Sequence, residues 1–174
     1  MFFLILLLIV IAQRLIELRI AKRNEQWMLT SGAKEYGQSH YQLMVLMHIG
    51  FFLSLIVEYL IRKPALNSYW QALLFIFIIV QIGRIWVIVT LGKYWNTKII
   101  VLSGTYVVKK GPFKYVKHPN YIIVTIELFV IPMIFNLYIT AILFLILNQI
   151  ILRVRIPIEE KALRENTNYN EKFD

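Results

Sequence analysis

Cysteine is absent from the chain, which excludes disulfides, a thiolate nucleophile and any cysteine metal site. Charge is scarce. Asp, Glu, Lys and Arg make up 17% of the 174 residues, against about 25% in soluble domains. No Gly-rich loop follows a strand pattern, so a soluble-type nucleotide fold is excluded, and no Ser-centred nucleophile elbow is present. His40 and His48 stand two turns apart with no third ligand at any metal spacing, so no metal site is expected. Internal repeats and low-complexity tracts are also missing, and residues 1–174 read as one domain. What the chain has is apolar surface, at 59% hydrophobic residues. A globule this small has too little interior to hide it, and a disordered chain would carry far less. The composition implies an integral membrane protein.

Apolar runs set the spans. Met1 to Ala12 is almost unbroken, and mixed charges at Arg14, Glu17 and Arg19 follow it. A secretory signal carries its positive charge first, so a retained span over 1–20 is expected, near the ~20 residues that cross a bilayer. Further spans are expected at 41–61, 69–91, 120–135 and 137–153, the last two forming a hairpin around Phe135 and Asn136. Residues 22–40 read as a polar stretch, and 92–118 as a long surface loop with six Lys, three Gly and interleaved aromatics. The fold class is therefore all-α: a polytopic helical bundle of about five spans.

The excess of 19 Lys and Arg over 10 Asp and Glu is what anionic headgroups and cytoplasmic loops attract; nucleic acid is not an expected partner. With the N-terminus outside, fifteen basic residues collect on the inner side and only Arg62 and Lys63 on the outer. Short loops orient by Lys and Arg, so the 92–118 loop and the charged tail are expected to share the cytoplasmic face of the cell membrane.

Two segments carry candidate chemistry. In the first, Gly111 to Tyr121, Pro119 suits the first turn of the fourth span. Free backbone N–H groups there form a partial positive charge that can hold an anion, and nearby aromatics can pack on a heterocycle or a cation. The same residues also fit a plain helix cap with interfacial aromatics. In the second, Arg155 and Glu159 stand four apart, on one face if helical, and an arginine fork can grip an oxyanion. A surface ion pair is the alternative, and Pro157 falls between the two. Arg14, Glu17, Arg84 and Glu127 fall inside spans, where charge normally faces a partner or a wet cavity; Arg84 with Glu127 makes a plausible interhelical pair. Glu58, near the end of its span, reads as snorkelling.

Taken together, Thr105 to about Leu163 resembles the isoprenylcysteine carboxyl methyltransferase family. The resemblance rests on a Gly-rich approach, the His118-Pro119-Asn120-Tyr121 signature, a helical hairpin, and Arg155 four positions before the Glu159-Glu160 pair. Arg14 through Arg23-Asn24, Trp27 and Glu35 to His40-Tyr41 looks like a shorter bacterial branch. The chain departs from the family pattern at Ile123, where Gly is usual, at Pro157, and in its short tail, Asn166 to Tyr169 and Phe173. The resemblance implies S-adenosylmethionine as cofactor, in a cytosolic pocket touching Thr105, Tyr106, Val107, Val108, Phe113, His118, Pro119, Asn120, Tyr121 and Glu159. It implies Arg155 and Glu159 as catalytic residues, with Arg155 toward the acceptor's oxyanion. The acceptor it implies is lipid-tailed, a prenylcysteine or a phenolic lipid or alkylpyrone, and membrane lipids are the other partner. A membrane reductase of related architecture and a non-enzymatic transporter or scaffold are the rival readings.

Overall fold

The computed structural model describes residues 1–173. Helix α1 spans Phe2–Thr30 and continues well past the apolar run. The segment from Lys22 onward leaves the apolar zone without leaving the helix, because Lys, Arg, Glu, Gln and Met are good helix formers. Thr30 and Ser31 end it by donating hydroxyl hydrogen bonds to the Gln26 and Trp27 carbonyls. The chain then forms a strand that periodicity did not suggest. Strand β1, Lys34–Tyr36, pairs antiparallel with β2, Ile99–Val101, with Lys34 opposite Val101 and Tyr36 opposite Ile99.

Helices α2 (Gln38–Arg62), α3 (Trp70–Leu91) and α4 (Pro119–Ile134) start and stop within a few residues of the expected spans. Helix α5, Tyr138–Asn166, runs through Pro157 and thirteen residues beyond the expected end of its span. A short α6, Tyr169–Phe173, follows. Three helical stretches, Gln38–Arg62, Trp70–Tyr94 and Tyr138–Asn166, are long and apolar enough to cross a membrane; Pro119–Ile134 is apolar but shorter. The protein is an all-α membrane bundle.

One end of the bundle is closed by aromatic packing. Phe3 stacks on Tyr59 at 3.8 Å and meets Phe135 edge-on, while Ile134 and Leu137 are fully buried. The α4–α5 turn needs a left-handed residue, and Asn136 supplies it at φ 53°, which Asn tolerates better than most. Its side chain accepts from Asn67 and donates to the Ala65 carbonyl. Glu58 does not snorkel. Only 7% exposed, it accepts from the backbone N–H groups of Ile139 and Thr140 at 3.2 and 2.8 Å, capping the otherwise unpaired start of α5 from a neighbouring helix. The Thr140 hydroxyl and Arg62 complete its shell. Glu58→Ala orphans those donors and is expected to lower stability by about 1–3 kcal/mol, read as an earlier thermal transition in detergent.

The opposite end carries the β1–β2 ladder, the 92–118 loop and the tail. Asn24 of α1 donates to the Trp95 carbonyl at 2.7 Å, and Lys98 bridges Glu25 and Glu35 at 2.7 and 3.3 Å. At Gly111 (φ 56°) the loop crosses α3 so closely that a Cβ would fall 2.6 Å from Thr90 Oγ1; only glycine fits there.

Candidate active site

Pro119 opens α4 and His118 is its N-cap residue. The imidazole lies between two consecutive carboxylates of α5: His118 Nε2 is 3.0 Å from Glu160 Oε1 and Nδ1 is 3.5 Å from Glu159 Oε2. Burial alone would lower the His118 pKa, but the hydrogen bond and charge of Glu159, then those of Glu160, outweigh it and hold the group above its ordinary value. A raised folded-state pKa gives stability that is complete below the unfolded value and lost as pH rises through the folded one. The thermal midpoint of the wild type is therefore expected to fall, relative to His118→Gln, as pH climbs upward from about 6.5. Parallel midpoints across that window would contradict it.

Tyr121, one turn into α4, joins the two candidate residues of α5. Its hydroxyl donates to Glu159 Oε2 at 2.6 Å and accepts from Arg155 Nε at 2.9 Å. Arg155 is 5% exposed; its Nη2 donates to the Thr97 carbonyl at 2.5 Å and its guanidinium lies over the Tyr121 ring. Arg155 and Glu159 thus share a face of a helix that Pro157 leaves continuous, and they meet through a phenol rather than as a direct ion pair.

Two cavities adjoin at this network. The first is lined by Arg155, Pro119, Asn120 and Tyr121 and extends past Asn148 to His48 and Arg14. The second lies beyond the imidazole, lined by Thr105, Tyr106, Val107 and Val108 with Tyr169 and Phe173. Phe113, Lys117, His118 and Glu159 line both. The ten residues expected around a cofactor are therefore divided. The first turn of α4 points Pro119, Asn120 and Tyr121 toward Arg155, while the 105–108 segment is on the far side of the His118–Glu159 pair. Asn120 Oδ1 is a buried acceptor with no partner among the described residues.

The short tail holds the second cavity together. Asn166 accepts from the Ser103 hydroxyl and, through its carbonyl, from the Gly104 N–H; Asn168 Oδ1 accepts from the Val107 N–H at 2.9 Å. Lys98, on the shared wall, is held charged by its hydrogen bond to Glu25, against the opposing effect of partial burial. Thr97, Lys98 and Asn168 belong to the site by position and were not singled out from sequence. Their signal was the polar residues clustered beside the loop and the asparagine-rich tail.

Residues 72–165 match the model of the isoprenylcysteine carboxyl methyltransferase (ICMT) family. The uncharacterized protein YpbQ of Bacillus subtilis is 47% identical over 163 residues, covering 94% of this chain and 97% of that protein. An uncharacterized protein of Haemophilus influenzae is 32% identical over 155 residues, covering 88% and 90%. No solved structure matches. The family match takes in α3, the loop, α4 and nearly all of α5, so it contains His118, Tyr121, Arg155 and Glu159. The chain belongs to the isoprenylcysteine carboxyl methyltransferase family of membrane methyltransferases.

Proposed function

We propose that this protein transfers a methyl group from S-adenosylmethionine to a carboxylate or hydroxyl oxygen of a lipid-tailed acceptor. The reaction takes place at the cytoplasmic face of the cell membrane, with the N-terminus outside. The observation that carries this reading is the pair of cavities meeting at His118 and Glu159. Two reactants of unlike polarity need two approaches and one meeting point.

The second cavity suits the methyl donor. Tyr106 and Phe113 offer faces for a flat heterocycle or a cation, while the Tyr169 and Phe173 rings already pack on each other and under Lys109, Lys117 and Arg164. Glu159 offers an acceptor where the two cavities meet. S-adenosylmethionine supplies an electrophilic sulfonium methyl when bound. Arg155 holds the acceptor's anionic oxygen by charge-assisted hydrogen bonds. Tyr121 and the Thr97 carbonyl fix the plane of that guanidinium. Holding both reactants in line supplies much of the acceleration. A carboxylate acceptor needs no base, and an acidic phenol or enol reacts as the anion it already is on arrival.

Purified protein incubated with labelled S-adenosylmethionine and a host lipid extract is expected to yield a labelled lipid. No label transfer, together with binding of a nicotinamide cofactor in calorimetry, would favour the reductase reading. Absence of both would favour a non-enzymatic protein.

A further inference from the structure

The first cavity ends in charge, although it ends inside the bundle. Glu17 accepts from Gln13 at 2.8 Å, Arg14 at 2.8 Å and Arg84 at 3.1 Å. Glu127 accepts from Gln81, Arg14 and Arg84. Two guanidiniums and two carboxylates neutralise one another, and each carboxylate accepts at least three hydrogen bonds. Helix cement explains Arg84, Glu17 and Glu127, which are 2%, 6% and 3% exposed. It also accounts for the bonds of Arg14 to Glu17 and Glu127, but not for the cavity that borders the cluster, nor for His48 on its wall.

Arg14 lines that cavity with a side chain 21% exposed, and its recorded bonds use two of the five guanidinium donors. His48 lines it from α2. A carbonyl can only accept, so the 2.8 Å contact from His48 Nδ1 to the Met44 carbonyl places the ring proton on Nδ1. Nε2 has no hydrogen-bond partner among the described residues, and in the neutral ring it is an acceptor. His48 also lies within electrostatic reach of Arg14, Arg84 and Glu127.

Depth follows from helix register. Ser54 meets Thr140 across α2 and α5, and Gly50 faces Phe144. His48 is therefore level with a part of α5 two turns or more from Arg155, roughly 10 Å or more along the axis at ~1.5 Å per residue. Asn148, on the same cavity wall, falls in that interval.

We propose that Arg14 and His48 form a second polar subsite, deeper than Arg155, that takes a hydroxyl group of the lipid acceptor. A guanidinium donates and the imidazole Nε2 accepts, and a hydroxyl is the small group that does both. A hydrocarbon tail does not suit a charged floor. It has an apolar groove instead, between α4 and α5, lined by Ile122, Ile126, Leu152 and Ile156 beside Tyr121. The acceptor is thus an amphiphile whose head bears two oxygen functions at a distance, with the tail leaving sideways near the first.

This inference rests on the first cavity being the acceptor site, and the test separates the two. The labelled lipid from host extract is isolated and its head identified by fragment mass spectrometry. The product is expected to carry a hydroxyl besides the methylated oxygen. The acceptor lacking that hydroxyl is then expected to show a KM about tenfold higher with the wild type, the scale of one hydrogen bond at about 1.4 kcal/mol, with kcat little changed. His48→Leu makes the two acceptors alike. His48→Gln, whose amide oxygen still accepts, restores part of the preference. A product with no second hydroxyl, or a preference intact in His48→Leu, overturns the subsite and leaves the transferase standing. Absence of any labelled lipid removes the transferase reading itself, and the subsite with it.

Discussion

Replacing Arg155 with Ala is expected to lower methyl transfer by about a hundredfold or more, the scale of losing a preorganised donor to a reacting oxyanion, while cofactor binding stays measurable. The expectation follows from where the guanidinium is held. It is almost fully buried beside the wall shared by the two cavities, tied by Tyr121 on one edge and the Thr97 carbonyl on another. The segment lining the second cavity, Thr105 to Val108, is fixed by Asn166 and Asn168 instead, so removing Arg155 need not disturb it. Because Ala also releases Tyr121 and Thr97, two further variants separate chemistry from architecture. Arg155→Lys keeps the charge but not the planar fork and is expected to recover only part of the rate. Tyr121→Phe keeps the ring under the guanidinium but removes the bridge to Glu159, and is expected to cost less than Arg155→Ala. The measurements are label transfer to lipid and calorimetric titration of S-adenosylmethionine. Normal turnover in Arg155→Ala would remove the assignment.

How much of this was legible in the sequence depends on the physical source of each feature. Spans are written in apolar runs, because lipid requires them, and α2 to α4 lie within a few residues of where those runs fall. The ends of α1 and α5 fall beyond the expected span ends, because polarity marks the membrane boundary and not the helix boundary. Both helices continue ten residues or more into polar sequence. The β1–β2 ladder joins segments more than sixty residues apart, and three-residue strands leave no period to detect. The signature that carries His118 and Tyr121, with its spacing to Arg155 and Glu159, was visible as a family resemblance, and the structure brings those four side chains together. Lys98 and Asn168 were not legible, since their roles come from tertiary neighbours. Glu58 is the sharpest case. One carboxylate near a span end reads equally well as snorkelling or as a cap, and only the position of α5 decides.

The cluster at the inner end of the first cavity carries the largest expected effect on folding. Glu127→Leu removes a carboxylate that Arg14, Gln81 and Arg84 all use, and it leaves Arg84, 2% exposed, with Glu17 as its remaining carboxylate partner. Breaking a buried ion pair from one side costs about 3–5 kcal/mol, a large share of the about 5–15 kcal/mol that holds a typical domain. Low membrane yield and an early thermal transition in detergent are the expected readouts. The cost arises from the orphaned cation and not from lost attraction, which the double variant Arg84→Met with Glu127→Leu tests. It removes one charge of each sign, leaves Arg14 bound to Glu17 at 2.8 Å, and places apolar side chains where the pair stood. Apolar replacement of a whole buried pair is often close to neutral, so the double variant is expected to be more stable than Glu127→Leu alone, a coupling that a thermodynamic cycle reads directly. If the two single losses simply add, the four charges do not act as one neutral unit. Arg14 would then owe its place at the cavity floor to something other than the pairing that holds the bundle together.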